Sequence, residues 1–233
     1  MHVPSLEVRA WRELINGRSQ VIAKRTRAKN TLRALLRSAG ITPPKQPGLW
    51  TKTGLAWLRQ LDLPTPSQQL RRDLLLEEIE TLLHQVRRLE QQLNHQAQHT
   101  PAVAQLRSIP GVGIRTAEAF VAYIDNPARF GRIQQVGSYV GLVPCQDATG
   151  EANRLGHITK DGPATLRKLL CEAAWQAVRR DAGMKRYFER IMKEDPDRKK
   201  IAIVATAHRL ARMMLAMLRG GEVYRKEQCK GVG

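Results

Sequence analysis

Residues 75–93 read LLEEIETLLHQVRRLEQQL, and within them Leu75, Ile79, Leu82, Val86, Leu89 and Leu93 follow one another at spacings of 4, 3, 4, 3 and 4. That is a heptad period, which keeps one stripe of a helix apolar for about three heptads. Over Ser67 to Gln98 five acids and four arginines nearly balance, so this helix is built for packing. The stripe could close on another helix of the same chain or on a second copy, and spacing alone leaves both open. The helical signal extends from Ser67 to about Gln98, and it sets the expectation of a mainly α fold.

Composition points the same way. Hydrophobic residues make up 42% of the 233, but aromatic residues only 5%, so the core must be built from Leu, Ala, Val and Ile. Such a mixture favours helices over sheets. Towards the N-terminus, Ser5 to about Ser38 reads as one long helix. Ser5 suits its cap, Glu7 its positive end, and Gly40 its termination. Between Gly17 and Arg37 this helix carries Arg18, Lys24, Arg25, Arg27, Lys29, Arg33 and Arg37 without one acid. Cations crowded in this way repel one another in water, and they predict a face turned to a polyanion. The whole chain holds 39 Lys and Arg against 21 Asp and Glu, a formal charge of +18. Nucleic acid is the expected partner, because each cation placed on a phosphate releases condensed counterions.

Three prolines between Thr42 and Gly48 break the chain, and a short helix is expected from Leu49 to Leu61, with Trp50 and Trp57. Pro64 and Pro66 break it again. Residues 1–100 are therefore read as a basic helical arm with a coiled-coil-like segment at 67–98, residues 101–222 as a compact helical domain, and residues 223–233 as a tail. In the second region helices are expected at Val103–Ser108, Ile114–Ile124, Arg132–Val140, Pro163 to about Arg180, Met184–Met192 and about Arg198–Arg219, with Gly183 as an interruption. Gly141 to Gly162 reads as a loop, with room for a short hairpin near Gly156 to Thr159.

Cys145, Cys171 and Cys229 are odd in number and far apart, which predicts neither a disulfide framework nor a zinc site. No apolar h-region follows Met1, and no apolar run approaching the ~20 residues of a bilayer span is evident. A cytoplasmic protein without membrane contact is expected. Asp125, Asp147, Glu151 and Asp161 show no metal-binding spacing, so no metal site is expected. His208 and the Met213, Met214, Met217 group read as core or helix surface.

Leu106-Arg-Ser-Ile-Pro-Gly-Val-Gly113, followed by a helix, resembles a helix-hairpin-helix. Gly111 and Gly113 would let backbone approach a phosphate, and the free N–H groups of the next helix would point at it. Arg115 and Thr116 lie in that first turn. Such a motif grips backbone and does not read sequence. The alternative is a glycine-rich turn between two packed helices.

A longer ordered set follows: Tyr139-Val-Gly-Leu-Val-Pro144, Ala148-Thr149-Gly150, Arg154-Leu-Gly-His-Ile-Thr-Lys160, Gly162 and Leu166-Arg167. With Arg25-Thr-Arg27, Lys29-Asn30 and Gly54-x-x-Trp57-Leu58 upstream, it is similar to the C-terminal part of the IS one-ten family of insertion-sequence transposases, relatives of the Piv invertases. The resemblance runs from about Pro4 to Arg219. It implies DNA cutting and rejoining by a RuvC-like domain whose four acids hold divalent metal, helped by a serine nucleophile from the C-terminal domain. It also implies DNA as a partner, leaves a structured guide RNA open, and, with the heptad, favours a homo-oligomer.

Two departures matter. No set of spaced acids after apolar strands occurs in residues 1–100, so the chain is expected to lack the nuclease portion and to be inactive alone. Mg²⁺ is expected only with that portion. Where the family has serine before glycine, this sequence has Thr149, a usable but more crowded hydroxyl. The alternative is a loop residue in a decayed site, which would leave a non-catalytic DNA- or RNA-binding protein. Arg154, His157, Lys160 and Arg167 are the expected phosphate contacts around it.

Overall fold

Ser5 begins the first helix as its composition requires: its Oγ accepts from the Val8 amide at 3.3 Å and its carbonyl from Arg9 at 3.0 Å. The computed structural model describes residues 3–44, 46, 48–149 and 152–225, and gives backbone only for residues 146–149 and 152–155. Helix α1 spans Leu6–Ser38, α2 Lys52–Gln60 and α3 Pro66–Gln98. Then come α4 (Pro101–Leu106), α5 (Ile114–Ile124), α6 (Gln135–Val140), α7 (Ala164–Arg180), α8 (Ala182–Met192) and α9 (Lys199–Gly220). A two-stranded antiparallel ribbon, β1 (Pro144–Thr149) and β2 (Ala152–Ile158), stands between α6 and α7. The fold is mainly α.

The chain divides into two compact units. One is Asn16–Gln92. Its core joins Ala28, Leu32, Leu35 and Leu36 of α1 to Leu49, Leu58 and Leu63 and to Leu76 and Ile79 of α3. Arg18 pairs with Glu90 at 2.6 Å, whereas Leu32 and Leu36 share a core with Leu76 and Ile79, so α1 and α3 run antiparallel inside this unit. Thr51 caps α2 by accepting from the Gly54 amide at 3.1 Å, two residues inside the expected start at Leu49. Ile79, Leu82 and Val86 of the heptad stripe are buried, and Leu75 and Leu89 half-buried. The stripe is thus consumed within this chain, as the helical-hairpin reading requires.

The other unit takes residues up to Ile15 and those from Leu93 onward. Its centre is α9, which α7, α8, α4 and α6 surround. Phe120, Ile124, Leu166, Leu170 and Leu210 are fully buried there. Pro196–Gly220, which holds α9, is long and apolar enough to cross a membrane (mean hydropathy 1.5), although the sequence alone suggested no such run. Half of it is buried and its surface carries Arg209, Arg212 and Arg219, as suits the central helix of a helical domain. Trp11 and Ile15 of α1 join this core, and Arg12 caps the C-terminal end of α5, its Nε donating to the Ala122 carbonyl at 2.8 Å.

Besides shifts of a few residues at the ends of α2, α4 and α6, two features differ from the sequence reading. The break between α7 and α8 falls at Asp181, whose carboxylate caps α8 by accepting from the Met184 amide at 2.8 Å; Gly183 lies inside the helix. And the segment read as a loop contains the ribbon. Its strands are short and polar, with no alternating apolar stripe to announce them. Its two connecting residues, Gly150 and Glu151, lie outside the described residues.

Candidate nucleic-acid interface

In the Asn16–Gln92 unit, the expected cationic residues of α1 fall into two groups. Lys24 and Arg27 are exposed. Arg25, Lys29 and Arg33 stand on successive turns, with Arg25 and Lys29 half-buried. The Lys29 ammonium lies 4.6 Å from the centre of the Trp50 ring and the Arg33 guanidinium 5.2 Å from it. Burial holds the Lys29 ammonium below its usual proton affinity, and the charges of Arg25 and Arg33 push the same way. Trp50, from the turn before α2, was not singled out from sequence; a lone tryptophan after a proline-rich break carries no spacing signal.

In the other unit, α4, the turn after it and α5 form the glycine-rich hairpin segment. Gly111 has φ +94°, and a Cβ there would sit 2.4 Å from the Ala177 nitrogen of α7. Its lack of a side chain is therefore required by packing against α7. Gly113 is different: it is exposed, caps α5 with φ −85°, and has open space around its Cα. Arg115 turns inward, its Nη1 2.9 Å from Oε1 of the buried Glu118, and it also donates to Asn94 Oδ1. Thr116 is 6% exposed, so its hydroxyl belongs to the interior. Of the four hairpin residues expected to meet phosphate, only Gly113 presents itself openly to solvent.

The ribbon's base is locked by backbone contacts. Gly141 and Gly162 both have positive φ; a Cβ on the first would reach the Asp161 carbonyl oxygen at 2.3 Å, and one on the second the Tyr139 carbonyl oxygen at 2.0 Å. Arg167 Nη1 donates to both the Val140 carbonyl (2.9 Å) and the Asp161 carbonyl (3.0 Å). Arg167, expected at a phosphate, thus ties the end of α6 to the segment after β2. Lys160, with φ +58°, and His157 are exposed beside it. Thr149 is the last residue of β1, paired through backbone with Ala152, and Arg154 pairs with Asp147. The register slips by one residue between Pro144 and Gln146, a bulge that bends the ribbon near its base.

These glycines, the ribbon and Arg167 are the parts of the chain that the ordered motifs had linked to a known family. Residues 103–189 match the model described as "Transposase IS116/IS110/IS902 family". Over these residues the chain is similar to this transposase family, and the relatives it matches carry transposase names. It is 29% identical over 230 residues to a "Probable family 20 transposase" of Pseudomonas aeruginosa, covering 96% of this chain and 67% of that protein. It is 27% identical over 215 residues to the "Transposase for insertion sequence element IS1111A" of Coxiella burnetii, covering 91% of this chain and 59% of the relative. To the "Insertion element IS110 uncharacterized 43.6 kDa protein" of Streptomyces coelicolor it is 28% identical, over 65% of this chain and 38% of that one. The chain thus spans from about two fifths to two thirds of the length of these relatives.

The family resemblance raises the question of divalent metal. Among the described residues, no group of three or more His, Cys, Asp or Glu side chains is placed to hold an ion. The described residues do not fit such a site. What the chain does supply is cations, in two different states: paired or bonded internally in Arg18, Arg115 and Arg167, and without a salt bridge among the described residues in Lys24, Arg25, Arg27, Lys29 and Arg33.

Proposed function

We propose that this chain grips nucleic-acid backbone within an insertion-sequence transposition reaction, with DNA as its principal partner. The observation that carries the reading is the middle of α1: five cations over three turns, no acid among them, in a protein of charge +18 that is similar to a transposase family. Binding of this kind is electrostatic, so the observed association constant falls steeply with salt. The exposed Gly113 at the start of α5 supplies a second grip, its neighbouring N–H groups turned to a phosphate in the manner of a helix-hairpin-helix. Fluorescence anisotropy with a labelled 30-base-pair duplex between 50 and 300 mM NaCl tests this. A log–log slope of about −4 or steeper supports it; binding that ignores salt, or no binding, defeats it.

The same reading gives Thr149, at the end of β1, the hydroxyl nucleophile that attacks a DNA phosphorus atom. The hydroxyl would give its proton to a base, His157 or solvent, as its oxygen forms the new ester bond to phosphorus, while the bond to the scissile 3′ or 5′ oxygen breaks and that oxygen leaves with a proton from solvent or a neighbouring acid. Arg154, His157 and Lys160 would surround that phosphate and offset its charge. The chain by itself is not expected to transfer strands, since no group of three or more His, Cys, Asp or Glu among the described residues is placed to hold the metal for such chemistry. Mg²⁺-dependent strand transfer by the purified chain, lost in Thr149→Ala, would sink that part. A guide RNA belongs to the same proposal, and sequencing the nucleic acid that co-purifies, before and after RNase, tests it: one enriched structured RNA supports it, and mixed fragments that wash off with salt favour a simple DNA-binding remnant. Self-association is likewise proposed, but with the heptad stripe buried it must use another surface; light scattering after gel filtration reads the mass directly.

A further inference from the structure

Arg25, Lys29 and Arg33 repeat every fourth residue of α1, which stacks their side chains along one strip of the helix. Like charges at this spacing destabilise a helix. The same helix neutralises Arg18 by pairing it with Glu90, yet none of these three has a salt bridge among the described residues. Arg33 has only Asn30 Oδ1, at 3.4 Å. In place of a carboxylate, Lys29 and Arg33 have the face of Trp50. That ring offers a cation about 0.5–2 kcal/mol and no charge neutralisation. It also packs on the core of its unit, so its position is fixed.

Two further groups there lack a partner. The Nε of Arg25 and the Nε1 of Trp50 are both shut off from solvent, and neither has a hydrogen-bond acceptor among the described residues. Buried donors without acceptors are rare in folded proteins and call for an explanation, a missing ion among them. Three cations on one strip of α1, one of them a depressed ammonium, together with the unused Nε of Arg25 and Nε1 of the Trp50 ring, suit an anion.

We propose that Arg25, Lys29 and Arg33, held by Trp50, form a discrete site for a single phosphodiester phosphate of a bound strand. The ligand class rests on the nucleic-acid reading above. The cations touch the phosphate oxygens; Trp50 is a positioning residue, which excludes water from one flank of Lys29 and holds it beside Arg33. Lys24 and Arg27, exposed elsewhere on the helix, add to the general field only.

The test uses the full chain. Lys29→Gln is compared with Lys24→Gln, which removes the same charge, in anisotropy titrations with a labelled duplex and a labelled single strand. Lys29→Gln should weaken binding about tenfold and Lys24→Gln about threefold or less, since a desolvated charge-assisted contact outweighs a screened one. Trp50→Phe keeps a ring for packing, and should weaken binding less than Lys29→Gln but more than Lys24→Gln. Thermal melts in inorganic phosphate against chloride at equal ionic strength give a nucleic-acid-free readout: phosphate should raise the Tm of the unchanged chain and not that of Lys29→Gln. Equal effects of the two lysine changes, or phosphate stabilisation that survives Lys29→Gln, overturn the discrete site while leaving the nucleic-acid reading standing. An unchanged chain that binds neither oligonucleotide overturns both.

Discussion

The α1 strip and the α4–α5 hairpin looked alike in the sequence, as two places where backbone or cations would meet phosphate, and they turn out to be built in opposite ways. In the hairpin, the residues that carried the motif are spent on the domain itself: Gly111 admits the α7 backbone, Thr116 is buried, and Arg115 faces Glu118. On α1 the cations, although part of the ordered set that carries the resemblance, pointed to phosphate by their charge, and among the described residues they have no salt bridge. A motif records which backbone arrangement recurs, and that arrangement can be needed for folding as much as for binding. Charge left unpaired has no folding use, since it costs stability, and is the better guide to an external partner.

The largest expected effect separates the two glycines of the hairpin. Gly111→Ala places a Cβ 2.4 Å from the Ala177 nitrogen at a backbone angle that L residues rarely adopt. It should cost about 2–4 kcal/mol and lower Tm by roughly 5–15 °C. Gly113→Ala meets nothing within 4 Å and should cost less than about 1 kcal/mol while weakening nucleic-acid binding. Thermal melts paired with anisotropy decide it. If Gly111→Ala melts like the unchanged chain and only binding suffers, the contrast between the two regions is wrong.

Next comes Arg167. Arg167→Met removes two donations to backbone carbonyls at the ribbon's base and should destabilise by about 1–3 kcal/mol. Hydrogen exchange at the amides of Thr159 to Gly162 should accelerate before global unfolding. Full native protection there, with binding alone reduced, would return Arg167 to the phosphate role that its place in the sequence motif suggested.

On α1 the prediction reverses. Lys24→Gln with Arg27→Gln, both on exposed positions, should leave stability within about 0.5 kcal/mol. The log–log salt slope for duplex binding should become shallower by about 2. A drop in Tm without a change in slope would show that these cations serve the fold.

Much of the architecture was legible because helices announce themselves by period and punctuation. The bounds of α5 (Ile114–Ile124) follow from Gly113 before it and Asn126-Pro127 after it, and Gly221, with φ +71°, ends α9 as a glycine pair should. The ribbon was legible only as room for a short hairpin near Gly156 to Thr159, not in its extent, because polar strands that pair only with each other have no buried face to impose alternation. Nor were the inward turns of Arg115 and Arg167. An arginine's partner is set by what tertiary packing brings near it, and Glu118 and the Val140 carbonyl are not marked by any spacing. Trp50 escaped for the same reason: its value lies in the two cations above it, which come from a helix that ends 12 residues earlier.

The smallest effect concerns His208, where α6 crosses α9. Gly137 leaves room for the imidazole, since a Cβ on it would lie 2.2 Å from His208 Nε2. That nitrogen is buried without a hydrogen-bond partner. Burial holds the imidazole below its ordinary value of 6.5, and the charge of Arg212 adds to this. A folded-state value lower than the unfolded one means that the unfolded chain takes up the proton more readily, so folding is favoured when the ring is neutral. The contribution is complete above pH 6.5 and fades as the pH falls below it towards the folded-state value. Melts at pH 7.5 and 5.5 should therefore show a fall in Tm on acidification, and His208→Gln, which cannot charge, should shrink that fall. Carboxylates that titrate lower contribute little in this window, so an unchanged pH response in His208→Gln would mean that the proton goes elsewhere and that the α6–α9 crossing tolerates a charged ring.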